Sequence, residues 1–292
     1  MKQAYFRMHL AILLWGFTGI FGKAIGMSEG MIVWYRMAIS AIGLLPVLVR
    51  EKHEILPFHE MVRIAFVGFL VAMHWLLFYG SIKASNVSIA LSCFSSVSLF
   101  TALLDPLLKG KRPRLPEILL SVMVIVGLYI IFRVQEVYWA GILLAVGSAF
   151  LGACFTVANK KLTEEHSPGV ITFYELTTGF LVLTVLLPVY FSVTGTGFEV
   201  PDFNDGIYLL LLSLVCTSYA FTISLKALKK LDPFTLNLSV NLEPLYSIVL
   251  AFILFNEREI LDGGFIAGTC VILSSVVIHT WYKWRKNKSA AT

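Results

Sequence analysis

Charge is what this 292-residue chain has little of: Asp, Glu, Lys and Arg make up 14% of it, against about 25% in an ordinary soluble chain. So few charges cannot clothe a water-facing surface around a chain of this length. Cysteine is scarce too. Cys93, Cys154, Cys216 and Cys270 stand far apart, with no CxxC and no Cys/His spacing, so neither a disulfide framework nor a zinc site is indicated. No HExxH and no GxxxxGK[ST] occurs, which removes zinc-peptidase chemistry and direct use of ATP. The chain therefore reads as no enzyme, with no cofactor and no metal.

What is present is apolar length. The chain is 58% hydrophobic, with a mean hydropathy of +0.81. About 20 apolar residues make one spanning helix, because backbone polar groups in lipid must be satisfied inside the segment. Ten such stretches are expected, at 8–25, 31–49, 61–82, 86–108, 116–133, 138–158, 169–193, 206–226, 234–255 and 263–282. The first lacks a small-x-small cleavage site and is followed by Lys23, so it reads as a span rather than a removed leader.

Lys and Arg set the orientation. With the N-terminus in the cytoplasm, 18 of the 23 basic residues fall on the inner side, among them Lys109, Lys111, Arg112, Arg114 and the tail from Lys283 to Lys288. Only Lys23, Lys83, Arg133 and Arg258 fall outside, and Arg36 lies within the membrane. That bias predicts a multi-pass inner-membrane protein with both termini cytoplasmic. It also accounts for the net charge of +5 without nucleic acid.

The chain repeats itself. Ser81-Ile-Lys-Ala84 matches Ser224-Leu-Lys-Ala227, and Leu107-Leu-Lys-Gly-Lys-Arg112 matches Ile253-Leu-Phe-Asn-Glu-Arg258. Earlier, Trp34-Tyr35-Arg36 matches Phe173-Tyr174-Glu175, and Leu44-Leu-Pro46 matches Leu186-Leu-Pro188. The order is kept throughout. A unit of five helices is odd, so the second copy enters the membrane from the opposite face. The expected fold is an all-α membrane protein of ten transmembrane helices in two inverted five-helix repeats, residues 1–135 and 136–292, a construction common to secondary transporters.

The Asn241-Leu-Glu-Pro244 helix, the Asn256-Glu257-Arg258 turn beyond it and Arg36 early in the second helix resemble the EamA group of the drug/metabolite transporter superfamily. Ser98 and Lys111 stand where that family usually has Pro and Glu. The resemblance implies secondary transport of small metabolites, often export of amino acids, with the fifth and tenth helices at the periphery. It thus implies a cavity lined by helices 1, 2, 3, 4, 6, 7, 8 and 9, working by alternating access.

Charged residues inside a membrane are few and tend to be functional. Glu243 lies about 14 Å deep, near the midplane; Arg36 lies about 8 Å below the outer face and Glu175 about 9 Å above the inner one. The last two depths differ by about 13 Å, so Arg36 and Glu175 read as separate elements, one toward each mouth. Glu243 precedes Pro244 and is either a cation, amine or proton site or a partner for backbone groups freed by the kink. Asn237 and Asn241 sit at other helical angles unless the kink turns them. His74, read as the only buried histidine, could take a coupling proton or bond a neighbouring Ser. Asp105 suits pairing with Lys109. Ser92, Ser95 and their neighbours favour packing, while Trp15, Trp34, Tyr35, Trp75, Tyr79, Tyr174, Tyr219 and Tyr246 could wall a pocket. Gly22-x-x-x-Gly26 and Gly264-x-x-x-Gly268 favour close helix contacts, within one chain or between chains.

One cation and two carboxylates in an aromatic interior suit a zwitterion, so the substrate expected is an amino acid or a related small metabolite, with protons as a candidate second partner. An organic cation or drug efflux transporter, or a passive channel or scramblase, is the alternative.

Overall fold

The computed structural model describes residues 1–50, 56–132, 138–255 and 263–289, and every regular element among them is helical. The order is α1 (Lys2–Ala24), α2 (Glu29–Arg50), α3 (Phe58–Ala84), α4 (Val87–Phe94), α5 (Val97–Leu108), α6 (Leu115–Phe132), α7 (Trp139–Glu165), α8 (Pro168–Thr194), α9 (Phe203–Ser213), a π-helical segment (Leu214–Tyr219), α10 (Ala220–Leu228), α11 (Pro233–Val240), α12 (Glu243–Phe255) and α13 (Gly263–Ser289). The Asn256-Glu257-Arg258 turn lies outside the described residues.

Local chemistry sets the boundaries. Asn86, Ser167, Asp202 and Asp232 each accept a hydrogen bond from a backbone N–H three residues on, starting α4, α8, α9 and α11. Pro168 and Pro233 follow two of these caps, where a missing N–H costs nothing. Several helices outrun their apolar cores: α1 begins at Lys2 and α7 continues to Glu165. Lys and Glu are good helix formers, so polar flanks extend a helix at little cost.

Among the described residues, 8 stretches can cross a membrane by length and composition, including Val87–Leu108 and Phe203–Leu228, each built from consecutive elements. Leu115–Ile131 is a shorter apolar helix. Where one helix is expected over 234–255, the chain forms two, α11 and α12, separated at Asn241–Leu242. A matching interruption at Ser95–Ser96 divides α4 from α5. Following the chain through its turns, the starts of α1 and α3 and the ends of α5, α7, α10 and α13 share one end of the bundle, here called basal; the opposite end is distal.

α3 packs against α7 and α8, α2 against α8, and α1 against α10 and α12. α6 and α13, the expected fifth and tenth helices, pack chiefly on each other, with Gly127 and Gly268 bringing their backbones together. The Gly264-x-x-x-Gly268 pattern therefore serves a contact within the chain.

At the α3–α8 crossing, a Cβ on Gly68 would run into the Glu175 carbonyl, which is backbone and cannot swing aside. Gly68→Ala should cost about 1–3 kcal/mol through overpacking, read as a lower unfolding temperature of the purified protein in detergent. Gly80→Ala, whose Cβ would meet only Leu144 Cδ1 at 3.7 Å, should leave it unchanged. Equal behaviour of the two variants would contradict this crossing.

Candidate functional site

A cavity with about 770 Å³ of atom-free space lies between the two halves of the bundle. Trp15, Thr18, Arg36, Trp75 and Glu243 line its middle, and Asn159, Leu228 and Leu236 carry it toward the basal end. Its wall comes from α1, α2, α3, α4, α5, α7, α10, α11 and α12. α8, the expected seventh helix, contributes no lining residue, a departure from the expected set.

Arg36 is 2% exposed. A cation at that depth must be solvated by protein, and three side chains do this. Its Nε donates to Thr217 Oγ1 at 2.7 Å, its Nη1 donates to the Tyr79 hydroxyl at 3.1 Å, and its guanidinium carbon stands 3.8 Å from the Trp75 ring centre. The π-helical segment prepares one of these partners. Its wider turn lets Thr217 and Ser218 donate to carbonyls five residues back, Leu212 at 2.7 Å and Ser213 at 3.1 Å. With its proton so engaged, the Thr217 oxygen turns lone pairs to Arg36. Ser218 also donates to the Ser40 carbonyl at 3.0 Å, fastening the segment to α2.

Glu243 opens α12 beside the break and lines the same cavity. The Arg36 charge acts on it across the space, but no ion pair between them occurs among the described residues. The expectation of Arg36 toward one mouth and Glu175 toward the other is therefore corrected: Arg36 shares the central cavity with Glu243. Glu175 is fully buried on α8 and lies outside the cavity wall. Asn159, which does line the wall, is near enough to influence it. Yet both Glu175 oxygens and both Asn159 amide atoms lack a partner of good hydrogen-bond geometry.

An aromatic arc closes one side. Trp75 meets Phe221 at 6.2 Å between ring centres, Phe221 meets Phe155 at 6.1 Å, Phe155 meets His74 at 5.2 Å, and His74 meets Phe94 at 5.4 Å. His74 Nδ1 sits 2.9 Å from the Ser148 carbonyl; a carbonyl only accepts, so Nδ1 carries a proton. His74 is not the only buried histidine: His279 is 4% exposed, with Nε2 2.9 Å from Thr235 Oγ1.

The serine run does local work. Ser95, Ser96 and Ser98 donate to the carbonyls of Ser92, Cys93 and Ser95 at 2.5, 2.7 and 3.2 Å, supplying partners where the α4–α5 break frees backbone groups. The facing break is tied to this one: Asn241 Nδ2 donates to Ser98 Oγ at 3.2 Å, and Asn237 Nδ2 to Thr101 Oγ1 at 2.7 Å. Asn237 also accepts from Thr156 Oγ1 at 3.3 Å and lines the cavity with Glu243, a common face that the break creates. Ser92 and Ser95 are buried but off the wall. Tyr219, expected in the pocket, is 52% exposed on the outside of the bundle, because the wider π turn rotates it away. Sequence reasoning missed Thr217, Asn159, Phe155 and Phe221. Only the need of Arg36 for a partner pointed to the first, and two of 22 phenylalanines carry no mark of their position.

The two ends of the bundle differ. Distally, Ser28 N donates to Glu199 Oε2 at 2.8 Å, the Tyr35 hydroxyl to the Glu199 carbonyl at 3.2 Å, and Trp34 Nε1 to Thr184 Oγ1 at 2.8 Å. Trp34 and Tyr35 thus belong to this seal rather than to the pocket. Gly26-Met-Ser-Glu-Gly30 has the G-x-S-x-G spacing of a hydrolase nucleophile turn, but it joins two helices, without the strand that chemistry requires. Basally, Glu60, Glu165 and His166 cluster as metal ligands could. Arg63 fills that cluster, with Nη1 2.8 Å from both Glu60 and Glu165, so it is an ion-pair network.

With this geometry in hand, the comparisons identify the kind of protein. The profile of the EamA-like transporter family matches residues 3–133 and again residues 139–281. The chain belongs to the EamA-like transporter family. An uncharacterized transporter of Archaeoglobus fulgidus is 23% identical over 277 residues, covering 95% of this chain and 94% of its own. One of Haemophilus influenzae is 24% identical over 307 residues, covering 96% and 95%. A solved crystal structure shares the fold with a TM-score of 0.77 at 16% identity, over 96% of this chain and 98% of that one. Family and helices together make this a multi-pass membrane protein of the transporter type.

Thr217→Val should remove the Nε partner of Arg36 and cost about 1.5–3 kcal/mol, the range for a hydrogen bond to a charged group. Thr217→Ser keeps the hydroxyl and should be close to neutral. Thermal unfolding of both variants in detergent checks this, and a neutral Thr217→Val would mean that Arg36 does not depend on the π segment.

Proposed function

We propose that this chain carries a small zwitterionic metabolite, an amino acid or a close relative, across the inner membrane by alternating access, in the direction of export. The observation that carries the reading is Arg36 and Glu243 on one cavity wall without contact to each other. Two opposite charges held apart in an apolar enclosure are stabilised by a ligand that bridges them, carboxylate to Arg36 and ammonium to Glu243. A polyanion would need more cations than Arg36 alone supplies at this depth. Trp15, Trp75 and Phe221 give the apolar walls that a small side chain needs, and they also favour the second reading, an organic cation stacked on the aromatic arc.

The fold we infer is ten spans in two inverted repeats, 1–135 and 136–292, with the basal end cytoplasmic. The paired family matches and the two facing helix breaks at Ser95–Ser96 and Asn241–Leu242 support it. Interrupted helices meeting at a central cavity are the usual transporter construction. The distal seal with a cavity reaching basally corresponds to a state facing the cytoplasm. Glu175, fully buried behind Asn159 and with neither oxygen hydrogen-bonded among the described residues, is our candidate for the coupling proton. His74, Asn237, Asn241, Tyr79, Ser92 and Ser95 support the site rather than contact the ligand.

Uptake of radiolabelled amino acids into proteoliposomes tests the reading. Glu243→Gln and Arg36→Gln should each lower flux by a factor of ten or more with the protein still folded and inserted, whereas Glu175→Gln should retain exchange and lose the response to a pH step. Normal flux through Glu243→Gln at every pH would reduce Glu243 to a partner of the helix break.

A disulfide between Ser28→Cys and Glu199→Cys should lock the distal seal and stop transport until it is reduced. Unimpaired flux through the cross-linked protein would point to a channel.

A further inference from the structure

A second cavity, with about 670 Å³ of atom-free space, opens at the basal end where α5 stops, α6 begins and α11 begins. Four cations line it: Lys109, Lys111, Arg112 and Arg114. The acids in the same wall are already engaged. Asp105 pairs with Lys109 at 2.6 Å, Glu117 with Arg114 at 2.9 Å, and Asp232 with Lys283. Lys111 and Arg112 are exposed and have no acidic partner among the described residues.

The backbone brings these two cations into the cavity wall. α5 ends in a left-handed turn at Gly110, φ +65°, with Lys111 N donating to the Pro106 carbonyl at 2.8 Å and Gly110 N to the Leu107 carbonyl at 3.0 Å. This paired closure is the Schellman arrangement, and it fixes the direction in which the chain leaves the helix. Three residues after Arg112 α6 starts, so the N-terminal end of that helix lies at the same cavity. Beside the cations, Leu107, Leu108 and Leu115 are 57%, 71% and 64% exposed. In a membrane protein, an unsealed apolar edge next to unpaired cations matches the two halves of a phospholipid.

We propose that this pocket binds the phosphate of an anionic phospholipid, with Lys111 and Arg112 on the phosphate oxygens and the acyl chains along Leu107, Leu108 and Leu115. Inorganic phosphate could use the same cations, but it has no use for the leucines; that contrast favours the lipid. The proposal depends on membrane embedding and is independent of what the central cavity carries.

Native mass spectrometry of the full-length protein in detergent, titrated with phosphatidylglycerol, tests it. Each Lys or Arg beside an anionic headgroup contributes a factor of about five, so Lys111→Gln/Arg112→Gln should weaken binding by about 25-fold. Lys229→Gln/Lys230→Gln, which removes two exposed cations from the same end, should change it less than about threefold, and phosphatidylcholine should bind weakly to all three proteins. Unfolding temperatures equal to that of the parent would establish that the variants are folded. Equal losses in the two double variants would reduce the effect to general surface charge and overturn the site. Inorganic phosphate that binds as tightly as the lipid, or displaces it, would overturn the lipid assignment.

Discussion

One buried guanidinium organises the centre of this protein. Arg36 lies almost wholly out of solvent, so its charge must be compensated by groups that the fold holds still. The partners come from two elements: Trp75 and Tyr79 one turn apart on α3, and Thr217 on the π-helical segment. Each restricts its own element. α3 must present two aromatic side chains on one face, and the π turn must keep Thr217 bonded to Leu212 so that its oxygen is free to accept. The seam between α2 and the π segment, Ser40 with Ser213 and Ser218, fixes the remaining freedom. Glu243 enters as a distant counter-charge rather than an ion-pair partner. In the proposed function, the ligand sits between the two.

The helix breaks answer to a related constraint. A polar backbone group freed in an apolar interior costs several kcal/mol unless it finds a partner. At Ser95–Ser96 the partners are hydroxyls on the same turn; at Asn241–Leu242 Leu242 N closes on the Ser239 carbonyl, and the side chains of two asparagines reach across to Ser98 and Thr101. Hydroxyl bonds within one helix travel with that helix, whereas the two asparagine amides couple one half of the chain to the other. A rearrangement between the halves must therefore break or exchange the Asn237 and Asn241 contacts and can leave the serine bonds intact.

Much of this was legible in the sequence because a membrane imposes strong rules. Hydropathy alone marked the helical stretches, and the sparse buried charges directed attention to Arg36 and Glu243. Geometry within a helix was harder to read. Periodicity put Asn237 and Glu243 at different angles, but the break at Asn241–Leu242 resets the rotation and brings both to one wall. The same limit misplaced Tyr219, because nothing in Leu214–Tyr219 announces a π turn except two hydroxyl residues able to bond carbonyls five residues back. Depth estimates put Arg36 and Glu175 at different levels, yet depth along a helix does not tell which side chain reaches the cavity wall, and Glu175 lies behind Asn159 rather than in it. His279 was overlooked because its partners Phe234 and Thr235, at the start of α11, lie 45 and 44 residues away.

The two ends of the bundle are closed by different chemistry, and in the proposed cycle the difference has a consequence. At the distal end Gly26 and Ser28 donate backbone N–H groups to the Asp205 and Glu199 carboxylates, and Tyr35 and Trp34 donate to neutral acceptors beside a few aromatic edges. Each such bond is worth about 0.5–1.5 kcal/mol net, more for those to the carboxylates, so the seal can open and close without a large input. The basal network of Arg63, Glu60 and Glu165 joins α3 to α7, two cavity-wall helices that already pack against each other. Lys160 reaches the carbonyls of Leu228 and Lys229 across the basal end at 3.0 and 3.1 Å, and these are the contacts of that end that border the cavity. Both rims are thus held by a few modest bonds, while the strong charge pairs lie inside rigid parts. A ligand bridging Arg36 and Glu243 needs to bias such an equilibrium by only a few kcal/mol to shift which rim is closed.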